Sequence, residues 1–153
     1  MKIEAFAVKD IPLIKKGDDL AQLITERAGI EDGDIVIICS TVVSKSEGRV
    51  VALDKIKPGR KAVAIAKRNN DEPEFIQAVL NESSKVLIAH PFLLSQTRHG
   101  HVCVNAGVDR SNIEEGYLVL LPKNPDLSAR RVRHGLLKKS GKKVGVIITD
   151  TNG

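Results

Sequence analysis

The 153 residues suffice for one ordinary domain or two small ones sharing a core, and a 42% hydrophobic share beside 28% charged residues excludes a disordered chain. Lysine and arginine exceed the acids 24 to 19, and the formal charge of +5 favours anionic partners: nucleotides, phosphorylated metabolites or nucleic acid. With three Phe, one Tyr and no Trp, the core must come from Val, Ile, Leu and Ala, and a base-stacking surface for single strands is hard to build.

In chain order, residues 2–8 alternate enough to predict a strand. Asp18 or Asp19 then caps a helix reaching Gly29, with Leu20, Leu23 and Ile24 at helical spacing. The apolar run 35–39 predicts a strand buried on both faces, and 48–53 a further strand. Pro58-Gly59 precedes an Ala-rich helix over 60–68, and Glu72-Pro73 opens another to about Glu82. Short strands come next at 85–90, 93–97, 101–105 and 117–121. Asp126 is expected to cap a helix to about Ser140, ended by Gly141, and residues 143–149 form a last buried strand.

This order predicts an α/β protein: a mixed sheet of buried strands with flanking helices. The helical block near 58–84, set between strand-rich stretches, is the candidate for an internal boundary. A strand as apolar as Val144-Gly145-Val146-Ile147-Ile148 needs neighbours and cover, so a chain stopping at Gly153 is expected to be the N-terminal portion of a longer protein. Cys39 and Cys103 lie in apolar strands and are expected as buried thiols, not a disulfide. The apolar runs are too short to span a bilayer and the opening residues form no signal peptide, so a cytoplasmic location without membrane contact is expected.

The informative pattern lies just past the apolar strands. Ser40, Thr41, Ser44 and Lys45 follow the first; Gly107, Asp109, Ser111 and Asn112 follow 101–105; Asp150 and Thr151 follow the last. Ligands of α/β sheets gather at such carboxyl ends. Carboxylate and hydroxyl oxygens suit Mg²⁺ or Mn²⁺, and a lysine is a point charge for phosphates. No Gly-x-x-x-x-Gly-Lys-Ser/Thr loop is present, so a triphosphate would not be held as in P-loop proteins. Each cluster also has a local explanation, as an Asx-type turn or a helix cap.

Two other groupings compete with this one. His99, His101 and Cys103 alternate and would share one strand face, a candidate zinc set. No fourth ligand is evident and Gly100 suggests a bend, so a loop leading into a core cysteine is the preferred reading. Arg130-Arg131-Val132-Arg133 and Lys138-Lys139 read as a solvated helix face.

The residues also carry a resemblance. The run from Ile11 to Leu20, then Ser44-Lys45-Ser46-Glu47-Gly48-Arg49, His99-Gly100, Asn105-Ala106-Gly107-Val108-Asp109, Ser111-Asn112, Leu121-Pro122 with Pro125-Asp126, and Gly145 to Thr151 occur in one order. Together they resemble the N-terminal part of the coenzyme F-420-0:L-glutamate (γ-glutamyl) ligase family. The resemblance implies a GTP-dependent enzyme joining L-glutamate to the lactyl carboxylate of F-420-0 through an acyl phosphate, releasing GDP.

It further implies that Ile11, Pro12, Leu13 and Ile14 line the nucleotide site, largely through backbone, and that Ser40, Thr41, Lys45 and Asn112 contact GTP. Asp109, Asp150 and Thr151 would hold divalent Mn²⁺ or Mg²⁺, with K⁺ a further requirement, in a homodimer. No catalytic base is identified. Asn124 stands where members often have Asp, which questions an acidic role there but keeps the turn. Family members continue past the position of Gly153 with a second half that also contacts GTP, so the chain alone is expected to be an incomplete ligase. A ligase with another carboxylate acceptor, or a non-catalytic GTP- or anion-binding fragment, remains open, and nucleic-acid binding would rest on net charge alone.

Overall fold

Two hydrophobic cores organise the chain, and the sequence leaves the first, builds the second and returns. The structure, a computed structural model, describes residues 3–150. Residues 3–8 carry no regular structure and are largely exposed, so the strand expected at 2–8 is absent over its described part; residue 2 lies outside the described residues.

The first core starts at α1 (Leu20–Thr25), where the Asp19 carboxylate accepts the Gln22 N–H and satisfies one orphan donor of the first turn. β1 (Ile35–Cys39) leads directly into α2 (Ser40–Ser46), which the sequence suggests only as a helix cap at Ser40-Thr41; the cap position is Cys39, and both residues lie inside the helix. Much further along the chain, α5 (Pro125–Ser140) and β7 (Gly145–Thr149) complete this core. The α5 cap corrects the sequence expectation: Asn124, not Asp126, accepts the Leu127 N–H, and Pro125 takes the first helical position, where a missing donor costs nothing. Gly141, at φ 71°, closes the helix in the left-handed region.

β1 and β7 pair in parallel, from Ile35 opposite Gly145 to Cys39 opposite Thr149. Val36, Ile38, Val146 and Ile148 pack into the core shared with α1 and α5. The other face is open, with Ile35 63%, Ile37 65% and Ile147 46% exposed. The expectation of burial on both faces therefore fails for one face. Side chains alternate along a strand, and the helices cover one side only. Cys39 falls on the open side and is exposed, whereas Cys103 is buried; both are free thiols.

The second core lies between residues 51 and 120. β2 (Val50–Ala52) will pair with a later strand; α3 (Arg60–Asn69) and α4 (Pro73–Glu82) come after it and pack together around Ala62, Phe75, Ile76 and Val79. Burial of a side chain such as Phe75 is worth about 1.5–3 kcal/mol, so this pair of helices anchors the region. β3 (Ser83–Ile88), β4 (Leu94–Thr97) and β5 (Val102–Val104) form an antiparallel sheet, and β6 (Tyr117–Val119) pairs antiparallel with β2. The fold is α/β with both kinds of pairing, distributed over three small sheets. A polar seam joins the cores: Ser128 of α5 donates to the Glu47 carboxylate, and Arg49 donates to the Leu121 carbonyl and, at 2.7 Å, to Glu82.

Candidate functional site

The short helix α2 is where the polar groups converge. At its start, the buried Ser40 hydroxyl donates to Asp150 Oδ1 at 2.6 Å, joining the exits of the two parallel strands. In its last turn, the Lys45 ammonium donates to the Asn112 carbonyl. Its end is tied to the N-terminal stretch, because the Gly17 N–H donates to the Ser46 carbonyl at 2.8 Å. Three segments far apart in sequence thus meet on one helix of seven residues.

Asp109 is brought to Lys45 by an unusual piece of backbone. Asn105, Ala106 and Gly107 have φ values of 52°, 51° and 68°, a run in the left-handed region where two residues carry a Cβ. Such conformations cost of order 1–3 kcal/mol each and persist only where packing enforces them. Here Ala106 is fully buried, and a Cβ on Gly107 would stand 2.7 Å from the Leu121 side chain. The turn delivers Val108 to the core and lets Asp109 exchange two backbone hydrogen bonds with Val119 at the end of β6, 2.9 and 2.8 Å long.

The Asp109 carboxylate accepts the Ser111 N–H at 2.7 Å and hydroxyl at 2.6 Å, the Asx-type turn expected from the sequence, with Asn112 Nδ2 at 3.4 Å. Burial pushes this carboxyl up, but the Ser111 and Asn112 donors and then the Lys45 charge outweigh it, leaving it below its ordinary 3.8. Because the folded value is the lower one, the ionised carboxylate stabilises the fold above pH 3.8, and that contribution is lost as pH falls through the lowered value. Asp109→Asn should therefore be less stable than the parent near pH 6, with the difference shrinking as pH falls below 3.8. Urea unfolding across that range checks it; a difference independent of pH would sink the assignment.

The other expected site residues divide. Thr41 pairs with its neighbour, its Oγ1 3.0 Å from Cys39 Sγ, and meets neither carboxylate. Ile11, Pro12, Leu13 and Ile14 lie in an irregular segment; Ile14 packs on the first core while Leu13 is 89% exposed. Asp150 is exposed, and Thr151 lies outside the described residues. Asn112 meets Lys45 through its backbone carbonyl, not its amide. In the sequence Ser111 stands only as part of a polar run; its two bonds to Asp109 make it the organiser of that carboxylate. Among the described residues no three His, Cys, Asp or Glu side chains converge; hydroxyls bond both carboxylates, Ser111 at Asp109 and Ser40 at Asp150. Such a set suits a hard divalent cation that keeps waters and shares phosphate oxygens.

The fold defines an α/β protein without a P-loop, with Ser40 and Asp150 at the carboxyl ends of its parallel strands and Asp109, Ser111 and Asn112 beyond an antiparallel one. Residues 9–153 match the profile of the family described as F420-0:Gamma-glutamyl ligase, and the chain belongs to that family. It is similar to proteins named coenzyme F420:L-glutamate ligase: 54% identical over 153 residues to that of Archaeoglobus fulgidus, covering 100% of this chain and 61% of the relative. The Methanosarcina acetivorans protein is 55% identical, with 100% and 60% covered, and that of Methanothermobacter thermautotrophicus 42% identical, with 100% and 63% covered. The chain thus spans about three fifths of the length of these relatives. Among the described residues, no helix is long and apolar enough to cross a membrane.

Proposed function

We propose that the chain supplies the nucleotide-handling part of a ligase that uses GTP to join L-glutamate to the lactyl carboxylate of F-420-0. The observation that carries this reading is the pair of tethers on α2, Lys45 to Asn112 beside Asp109 and Ser40 to Asp150. Lys45 makes no ion pair with a carboxylate among the described residues; its ammonium bonds a neutral carbonyl, acts on Asp109 only through its charge, and would bring that charge to a phosphate. The backbone of Ile11 to Ile14, with Ser40, Thr41 and Asn112, would complete the GTP contacts.

In the reaction, the substrate carboxylate oxygen attacks the γ-phosphorus and the bond to GDP breaks, giving an acyl phosphate. The glutamate amine then attacks the acyl carbon, the carbon–oxygen bond breaks, phosphate departs, and the amine proton passes to solvent. Phosphoryl transfer depends mainly on positioning and charge neutralisation; the charge of Lys45 would serve the second, and the carboxylates would serve it only through the cation they hold. Asp109 and Asp150, with Thr151, would hold Mg²⁺ or Mn²⁺, which when bound neutralises phosphate charge. K⁺, a homodimeric assembly and a cytoplasmic location belong to the same proposal.

The test is phosphate release from GTP with Mn²⁺, F-420-0 and L-glutamate, using the protein extended to the length of its relatives beside the 153-residue chain. Release that needs both F-420-0 and glutamate, by the extended form, is expected. GTP binding without release by either form would leave a nucleotide-binding role, and release with another carboxylate acceptor would change the substrate.

A further inference from the structure

The β1–β7 pair is also open along its β7 edge, beside α5, at the end of β7 away from Asp150. The Gly145 N–H bonds to the Asp34 carbonyl at 2.8 Å, so Gly145 faces β1. Backbone groups of a parallel strand alternate sides, so Val146 and Ile148 turn their N–H and C=O groups to the far edge, where β7 has no partner among the described residues. A groove of about 460 Å³ lies between α5 and the start of β7, lined by Asp126, Arg130 and Arg133 on the helix and by Val144, Gly145 and Val146 on the strand side. Neither arginine makes an ion pair among the described residues. Parallel sheets occur almost only with both faces covered, and an unpaired edge is a template for another strand.

We propose that this edge receives a third strand, supplied by the part of the family's sequence that this chain does not match, about two fifths of the relatives' length. The two environments dictate the pattern of that strand. Side chains turned toward α5 meet Arg130 and Arg133 and include a carboxylate, for which arginine offers a paired donor geometry. Side chains turned the other way continue the apolar face of Ile35, Ile37 and Ile147 and are aliphatic. The occupant is therefore an extended segment alternating acidic and aliphatic residues, bound by strand addition. The basic run of α5 then serves recognition, where the sequence suggested a solvated face.

Overlapping synthetic peptides covering the unmatched part of the Archaeoglobus fulgidus relative, added to the isotopically labelled full chain, provide the test. One peptide of alternating pattern should slow hydrogen exchange at the Val146 and Ile148 amides by about tenfold or more. The double variant Arg130→Glu/Arg133→Glu should weaken that peptide by about tenfold or more, and Arg130→Gln/Arg133→Gln by less. Both arginines are exposed, so melting should stay unchanged and separate lost binding from lost folding. No protecting peptide, protection indifferent to both double variants, or protection arising from self-association in sedimentation would each overturn the proposal.

Discussion

Replacing Lys45 by alanine is expected to weaken GTP binding by ~10- to 100-fold with little change in melting temperature. A hydrogen bond to a charged partner contributes about 1.5–3 kcal/mol, and about 1.4 kcal/mol corresponds to a factor of ten. The ammonium is held by the Asn112 carbonyl, and that bond fixes a flexible side chain whose charge acts on Asp109. Preorganisation of this kind is where a lysine gains over a freely rotating one. Losing it costs the fold one partly exposed contact, well below the cost of a core truncation. A second consequence separates this from general damage: without the Lys45 charge the Asp109 carboxyl should titrate higher, because that charge is one of the influences lowering it. Calorimetry with GTP and carbon-detected NMR titration of Asp109 check both. Unchanged affinity with normal melting would return Lys45 to the solvated surface.

The largest structural effect is expected at Gly135. This glycine lies mid-way along α5, where a Cβ would stand 2.7 Å from the Cβ of Ala21 on α1. In an isolated helix, glycine to alanine would gain about 1 kcal/mol. Here the neighbour is a methyl group on a packed helix that cannot swing aside, so added volume must push the two helices apart. Gly135→Val is expected to destabilise by about 3 kcal/mol, the upper range for overpacked cores, and lower the melting temperature by roughly 6–12 °C. Parting α1 from α5 also loosens the support of β1 and β7, since all four share one core with Leu20, Ile24, Ile38 and Leu136. Moving the methyl group across the contact supplies the control: Ala21→Gly combined with Gly135→Ala should melt close to the parent. Thermal unfolding by circular dichroism reads all three, and a Gly135→Val protein melting like the parent would show that the helices are not in close contact.

Legibility from the sequence tracks the range of the interactions involved. Asp19 before α1, Pro73 at the head of α4 and Gly141 after α5 act on donors or torsions within a few residues, and each does what its chemistry predicts. The expected cap at Asp126 misses by two residues because Asn124 and Pro125 offer a better start. Helix α2 escapes pattern reading because Val42 and Val43 are β-branched and Ser40, Ser44 and Ser46 favour non-helical partners; its helicity rests on burying Val43 in the first core. The Asx-type turn at Asp109 is legible, whereas its meeting with Lys45 is not.

From the residues alone come the α/β class, the placement of polar groups after apolar strands, and family membership through motifs in one order. Packing in three dimensions settles the rest: that residues 35–39 pair with 145–149, that one face of that pair stays open, and that α2 gathers Asn112 and Asp150. Hydrophobic periodicity reports that a face wants burial, but not which distant surface buries it. That choice is made by packing two cores at once, where no local signal reaches.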